Sequence, residues 1–122
     1  MAKTILIVDD SASFRQVVAI TLKSAGYDVI EGCDGKDALE KIASKRVHLI
    51  ISDVNMPNMD GFAFLKAVKA SPVHKYTPVI MLTTESSAAK MTAGKEAGAK
   101  AWMTKPFQPP QILAAVAQLV PQ

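Results

Sequence analysis

Residues 4–10 read Thr-Ile-Leu-Ile-Val-Asp-Asp, an apolar run that ends abruptly in two carboxylates. Aliphatic residues without polar alternation are typical of an inner strand that is covered on both faces. Similar runs occupy residues 47–52, immediately before Asp53, and residues 79–83. Shorter β-rich runs at 28–30 and 101–104 complete a set of five predicted strands.

The predicted strands alternate with stretches whose apolar residues recur at helical spacing. The clearest stripe runs from Phe14 to Leu22 and ends at Gly26, a residue type that often terminates helices. Further helices are predicted around 38–43, 62–68 and 86–97 and from Pro109 onward, and the alanine-rich segment 86–97 has the thinnest packing stripe. This alternation predicts an α/β domain with a doubly wound, five-stranded parallel sheet and five helices.

The composition is that of a water-soluble globular domain. The 122 residues are 49% hydrophobic and 20% charged, which fits one domain with a single core. The apolar runs are too short for a signal peptide or a membrane span, so we expect a cytoplasmic protein. The net charge of +3 comes from lysines scattered along the chain, which argues against nucleic acid as a partner. We expect no membrane partner either.

Three residues with reactive or metal-binding side chains do not fit a site. Cys33 has no second cysteine in the chain, and we interpret it as a packing residue. His48 and His74 have no companion ligand and lie away from the predicted strand ends, so we interpret them as surface or loop residues.

Polar side chains follow the predicted strands directly. Asp9 and Asp10 end the first strand, Asp53 the third, Thr83 the fourth and Lys105 the fifth. Because the carboxyl ends of parallel strands meet at one edge of a doubly wound sheet, we expect these residues to converge there. Carboxylates about 4 Å apart repel by about 4 kcal/mol per pair at an effective dielectric constant near 20, so the cluster is expected to bind a cation. Ligands that are all oxygen favour Mg²⁺.

A site of this kind is suited to phosphoryl transfer. A carboxylate can attack phosphorus and form an acyl phosphate, while a cation and an ammonium group stabilise the charge on the transferred group. Asp53 is the best candidate nucleophile because it ends the central strand, just before the loop 55–61. Lys105 would lie opposite the cation, and Thr83 would donate its hydroxyl to the new phosphoryl group.

Four blocks of the sequence resemble the bacterial response-regulator receiver family. They are Ile5-Leu-Ile-Val-Asp9-Asp10, Asp53-Val-Asn-Met-Pro57-Asn-Met-Asp60-Gly61, Thr83-Thr-Glu85 and Lys105-Pro106-Phe107. They occur in the family's order across the whole chain, which is most similar to the single-domain chemotaxis members. The resemblance implies one receiver domain over residues 1–122, without an output domain, and a flavodoxin-like sheet with the strand order 2-1-3-4-5.

The resemblance also implies roles for individual acidic residues. Asp53 would accept a phosphoryl group from a histidine kinase. Asp10 and Asp53 would bind Mg²⁺, or alternatively Mn²⁺, directly, while Asp9 would do so through water and Asn55 through its backbone carbonyl. Asp60 and Gly61 are interpreted as a turn and helix start instead of a site.

Other roles implied by the resemblance concern the phosphorylated state. Thr83 and Lys105 would bind phosphoryl oxygens, and the Lys105-Pro106 peptide bond would be cis. Hydrolysis of the acyl phosphate would be tuned by Asn55, Thr84 and Glu85. Trp102 stands where the family usually has Tyr or Phe, and it is interpreted either as a core residue or as a switch residue that moves with Thr83.

The resemblance implies a signalling switch with protein partners. A histidine kinase would supply the phosphoryl group, a flagellar-motor switch or other output protein would read it, and a phosphatase is a further candidate partner. The output face would comprise the fourth predicted helix, the fifth strand and the fifth helix of a monomer. The chain would be no enzyme beyond accepting and hydrolysing its own phosphoryl group.

Three alternatives remain open at this point. One is a receiver that acts only as a phosphate sink. A second is an aspartyl-phosphate phosphatase, which usually needs a second carboxylate two residues after the nucleophile, where this chain has Asn55. A third is a flavin-binding module on the same fold, but Asp9 and Asp10 would repel a flavin phosphate after the first strand.

Overall fold

Five parallel strands form one sheet in the order β2-β1-β3-β4-β5, as predicted. The strands are β1 Thr4–Val8, β2 Asp28–Gly32, β3 Leu49–Asp53, β4 Val79–Thr83 and β5 Ala101–Thr104. This computed structural model describes residues 3–43, 45–54, 59–83, 98–104 and 108–120, with only the backbone of Thr83. Within these ranges the helices are α1 Ala12–Ser24, α2 Gly35–Ile42, α3 Gly61–Ala70 and α4 Pro109–Leu119.

The inner strands are buried on both faces because helices cover the sheet on each side. Alternate residues of β1 enter different cores: Ile5 and Ile7 face one, and Leu6 and Val8 face the other. The first core is completed by residues of α1 and α4, and the second by residues of α2 and α3. The uninterrupted apolar runs of the sequence therefore correspond to strands without a solvent-facing side.

Two strands differ from the prediction at their boundaries. Strand β2 extends two residues further, because Glu31 and Gly32 continue the ladder opposite Ile7 and Val8. Strand β3 begins two residues later, at Leu49, and includes Asp53. Val47 is buried outside the ladder, so its apolar character reflects burial instead of strand pairing. The predicted helix 86–97 lies outside the described residues.

Side-chain caps determine where the first three helices begin. The Ser11 hydroxyl accepts the Phe14 N–H of α1 at 3.3 Å, and Asp34 accepts the Asp37 N–H of α2 at 2.8 Å. Asp60 accepts the Ala63 N–H of α3 at 2.8 Å, as expected for a helix start. Each cap satisfies a backbone donor that has no partner within the helix.

The interpretation of Cys33 as a packing residue is wrong. Cys33 is exposed in the short connection between β2 and α2, where its backbone N–H donates to Asp37 Oδ2 at 3.0 Å. Local desolvation, followed by the Asp37 carboxylate, raises the pKa of the Cys33 thiol. The thiol is therefore exposed without being activated as a thiolate.

His74 lies in the predicted loop but is not a surface residue. Its side chain is only 3% exposed, and its Nε2 lies 3.0 Å from the Lys45 carbonyl oxygen. This hydrogen bond joins the segment after α3 to the segment before β3, and it satisfies a buried polar atom. Among the described residues, no helix is both long and apolar enough to span a membrane.

Candidate functional site

The carboxylates of Asp9, Asp10 and Asp53 meet at the carboxyl edge of the sheet. Each contributes one oxygen to a set whose members lie within 4.8 Å of one another. The cause is the strand register: Val8 pairs with Ser52, so the residues that follow them, Asp9 and Asp53, leave adjacent strands side by side. The structure thus brings together acids from two strand ends. Asp9 and Asp10 follow β1, and Asp53, more than 40 residues later in the sequence, ends β3.

The three acids have different surroundings. Asp9 is 1% exposed and Asp53 is 7% exposed, whereas Asp10 faces solvent. The Ser11 N–H donates to Asp9 Oδ1 at 2.9 Å, and the Val54 N–H donates to Asp53 Oδ1 at 2.9 Å. These hydrogen bonds orient two buried carboxylates within the cluster and leave the exposed acid as its outer member.

The geometry of the cluster fits a small, hard divalent cation. Two ligands of one Mg²⁺ lie at most about 4.2 Å apart, since each Mg–O bond is about 2.1 Å long. Oxygens within 4.8 Å of one another reach that limit by small side-chain rotations, or one of them binds through water. The donors are all carboxylate oxygens, and several further positions would remain for water or phosphate oxygens.

Electrostatics favour a cation at the same place. At separations near 4.8 Å, two carboxylates repel by about 3–4 kcal/mol at an effective dielectric constant near 20. A divalent cation between the carboxylates offsets this repulsion, because it attracts each of them. The cluster is therefore better suited to hold a metal ion than to exist as three adjacent anions.

Arg15 is a neighbour of the cluster that the sequence interpretation missed. Its Nη1 donates to the Asp9 carbonyl oxygen at 2.5 Å, and its Nε lies 3.4 Å from Glu31 Oε1 on the adjacent strand β2. These contacts join the first turn of α1 to the ends of β1 and β2. The only signal in the sequence was an arginine one turn after the Ser11 cap, and it does not specify these partners.

The remaining candidate residues lie at or beyond the limits of the described segments. Thr83 ends β4 one position beyond Leu82, which pairs with Asp53, so its backbone approaches the same edge. No side-chain geometry is described for Thr83. The other candidates outside the described residues are Asn55, Thr84, Glu85, Lys105 and Pro106.

Trp102 is half-buried on the α3 side of the sheet. Its position in β5 pairs with Met81, and the ring centroids of Trp102 and Phe62 are 6.1 Å apart. Its Nε1 is buried and has no hydrogen-bond partner among the described residues. The side chain packs against the second core. This arrangement is compatible with a role as a core residue and with a role as a switch residue.

Gly61 positions the end of β3 by close backbone contact. A β-carbon at this position would overlap the Asp53 carbonyl oxygen and lie 2.8 Å from Val54 Cα. The Gly61 N–H also donates to the Val54 carbonyl oxygen at 2.8 Å. The absence of a side chain therefore lets α3 begin directly against the strand that carries Asp53.

We expect Gly61→Ala to destabilise the fold by about 1–3 kcal/mol, because backbone atoms must move to accommodate the new methyl group. Urea unfolding would measure the change in the free energy of unfolding. The matched control is Ala63→Gly at an exposed position of the same helix, which changes only helix propensity by about 1 kcal/mol. A stable Gly61→Ala variant with unchanged amide spectra around residue 53 would contradict the close contact.

Comparisons with known proteins agree with the fold. A family model described as "Response regulator receiver domain" matches residues 5–117. The chain is 36% identical to Protein PilG of Pseudomonas aeruginosa over 117 residues, which covers 96% of this chain and 87% of PilG. It is 38% identical to chemotaxis protein CheY1 of Helicobacter pylori over 118 residues, covering 95% of this chain and 94% of CheY1.

A solved structure shows the same architecture at high similarity. Chemotaxis protein CheY4 of Vibrio cholerae superimposes with a TM-score of 0.95 at 47% identity, covering 98% of this chain and 100% of that one. Similarity at this level extends across the five strands and the helices around them. The similarity therefore covers the whole sheet and the helices that pack on it.

Proposed function

Because the chain belongs to the response regulator receiver family and is CheY-like, we propose that Asp53 accepts a phosphoryl group beside a divalent cation. The observation that carries this proposal is the meeting of Asp9, Asp10 and Asp53 within 4.8 Å at the carboxyl edge of the sheet. Mg²⁺ is the proposed ion, with Mn²⁺ as a substitute. When bound, the ion would neutralise charge on phosphoryl oxygens during transfer.

Asp53 is the proposed acceptor because of its place in the sheet. It ends the central strand β3, between the ends of β1 and β4, and its Oδ1 accepts the Val54 N–H. That bond holds the carboxylate in one orientation. A fixed nucleophile lowers the entropic cost of reaching the in-line geometry for attack. Asp9 is more deeply buried and Asp10 is exposed, so we assign both to the cation and Asp53 to the attack.

The proposed step exchanges one bond to phosphorus for another. An Asp53 carboxylate oxygen forms a bond to phosphorus, and the bond between phosphorus and the donor breaks. The donor is a phosphohistidine of a kinase, and the product is an acyl phosphate on Asp53. Lys105 and Thr83 are proposed to bind phosphoryl oxygens, and the Asn55 carbonyl is proposed as a further ligand of the ion.

We further propose that phosphorylation switches the binding of an output protein. The proposed face comprises the segment 86–97, β5 and α4, with Trp102 and Thr83 as switch residues. Two of the relatives are named chemotaxis proteins, and for this chain we propose a flagellar-motor switch or similar protein as the partner and the cytoplasm as the location. A phosphate sink without output remains the second candidate, since the acidic cluster alone would serve that role equally well.

The proposed acceptor site can be tested with a small phosphoryl donor. In Mg²⁺, acetyl phosphate should add one phosphoryl group, seen as an intact-mass increase, and peptide mapping should place it on Asp53. Chelation with EDTA should abolish the labelling. Labelling at another residue, or labelling without a divalent ion, would contradict the proposed site. Repeated turnover of phosphate esters would instead indicate the phosphatase alternative.

Mg²⁺ should also stabilise the folded chain. At tenfold excess over its dissociation constant, a ligand that binds only the native state adds about 1.4 kcal/mol. For a domain of this size we expect the Tm to rise by about 5–6 °C. Differential scanning fluorimetry at matched ionic strength would measure the shift, with Na⁺ as the control ion. An unchanged Tm at millimolar Mg²⁺ would argue against a metal site.

A further inference from the structure

The edge of the sheet opposite the acidic cluster carries an exposed surface with a different chemistry. At the amino ends of β3 and β4, Arg46, His48, Val73 and Tyr76 border a shallow cavity of about 180 Å³. We call the surface formed by Arg46, His48, Val73, Lys75 and Tyr76 the amino-edge patch. Five strand residues, or about 16 Å, separate it from the carboxyl edge.

Two large apolar side chains of the amino-edge patch point into solvent. Tyr76 is 85% exposed and Val73 is 61% exposed. Single exposed apolar residues are common, but here two lie in one short segment beside a cavity. Tyrosine and arginine are also the side chains most often enriched where proteins bind other proteins.

The backbone that carries these side chains is firmly held. The Lys75 N–H donates to the Ser71 carbonyl oxygen at 2.8 Å, and the Thr77 N–H donates to the His74 carbonyl oxygen at 2.9 Å. Lys69 Nζ donates to the Thr77 carbonyl oxygen at 2.6 Å. Together with the buried His74 contact to Lys45, these bonds make a preformed platform, which lowers the ordering cost of binding.

The two described segments that form the patch carry charge of one sign. Lys45, Arg46 and Lys75 are exposed, and the segments 45–48 and 71–78 contain no acidic residue. The ion pairs found among the described residues, Arg15 with Glu31 and Lys41 with Asp37, lie elsewhere. Lys75 Nζ lies 5.0 Å from the Tyr76 ring centroid. A cation and an aromatic ring are therefore next to each other on this surface.

An acid of the same sheet edge lies further away. Asp28 begins β2 and pairs with Thr4, so β1 separates it from the start of β3. His48 Nδ1 accepts the Thr4 N–H at 3.0 Å, which orients the His48 ring at this edge. The patch therefore keeps its positive charge on the side formed by β3 and β4.

We propose that the amino-edge patch binds an acidic peptide segment that carries one aromatic or large aliphatic side chain. The apolar side chain would occupy the cavity beside Val73 and Tyr76, and its acidic neighbours would meet Arg46 and Lys75. Charge complementarity and a small cavity bordered by both apolar and cationic side chains favour this occupant. Nucleic acid is less suited, because tight binding commonly uses about 6–10 phosphate contacts, more than the three exposed cations here provide.

The position of the patch has a consequence for signalling. A partner bound at the amino edge would leave the carboxyl edge, with Asp9, Asp10 and Asp53, open to its own ligands. Binding at the amino-edge patch is therefore expected in both the unmodified and the phosphorylated chain. The patch would act as a tether for an acidic segment, independent of the proposed phosphoryl switch.

The test is a titration of the ¹⁵N-labelled full chain with a defined peptide, acetyl-Glu-Asp-Glu-Phe-Glu-Asp-amide. We expect saturable amide shifts confined to residues 46–48 and 73–77, weakening as salt is raised. Two control peptides carry Ala in place of Phe, or Gln and Asn in place of the acids. Each control should bind at least about fivefold more weakly, because it lacks one of the two proposed contacts.

Substitutions in the protein, instead of in the peptide, test the same surface. Tyr76→Ala and the double variant Arg46→Glu with Lys75→Glu should each weaken peptide binding at least about fivefold. Lys23→Glu, at an exposed position of α1, is the matched control and should bind as the unmodified chain does. Unchanged amide shifts of β1 would verify that each variant is folded.

Three outcomes would overturn the proposal. One is the absence of saturable shifts at millimolar peptide, and another is shifts scattered over the surface. The third is tighter binding of an oligothymidylate of equal charge at the same amides, which would assign the patch to nucleic acid. Loss of Asp53 phosphorylation would leave this proposal unaffected, since the two sites lie at opposite edges.

Discussion

Asp53→Asn should abolish acyl-phosphate formation from acetyl phosphate in the presence of Mg²⁺. The substitution keeps the shape of the side chain and an oxygen that can accept the Val54 N–H, but it removes the carboxylate nucleophile. The expected loss is complete, because amide oxygen does not form a stable acyl phosphate under these conditions. Intact mass spectrometry after brief exposure to the donor would measure it.

Asp60→Asn is the matched control for this experiment. Asp60 caps α3 near the same edge, and Asn is an equally good capping residue. This variant should label at the rate of the unmodified chain. Residual labelling of Asp53→Asn on a neighbouring carboxylate would show that the cluster, and not Asp53 itself, determines acceptance.

Asp10→Asn should reduce Mg²⁺ affinity by at least about 100-fold, equivalent to about 2.7 kcal/mol. Even residues that only support metal ligands commonly cost 10–100-fold when replaced, so loss of a proposed direct ligand should reach the upper end of that range. The same substitution removes one charge from a set of acids within 4.8 Å of one another. Without metal, it should therefore raise the free energy of unfolding.

These opposite effects separate a metal site from an ordinary acidic surface. Calorimetric Mg²⁺ titration and urea unfolding in EDTA would measure affinity and metal-free stability on the same samples. Asp28→Asn is the control, since Asp28 is exposed at the opposite edge of the sheet. If both variants lost equal affinity, general charge instead of ligation would explain the binding.

Much of the fold could be predicted because its signals are local. The unbroken aliphatic runs of β1, β3 and β4 can be satisfied only by burial on both faces. Gly26, with φ near 97°, ends the region of α1 as the sequence indicated. Strand β2 was predicted too short because Glu31 and Gly32 have no apolar signal, although the ladder with β1 includes them.

The candidate site could be predicted only in part from local sequence signals. The positions of Asp9, Asp10 and Asp53 follow strand ends, so their approach could be predicted from the parallel sheet. The contacts of Arg15 with the Asp9 carbonyl and Glu31 could not, because they depend on the angle at which α1 leaves β1. The exposure of Cys33 was misjudged, and the burial of His74 within its predicted loop was not foreseen, because both depend on how distant segments pack together.

The order of apolar runs and acidic strand ends therefore determined, by itself, the class of fold and the edge at which chemistry is expected. Tertiary structure alone decided that Asp9 is buried while its neighbour Asp10 faces solvent, and that Tyr76 is exposed beside exposed cations. Sequence patterns report periodicity and local backbone preference. Burial and contact at a single residue depend on which distant segments pack against it, and that is settled only when the strands and helices come together.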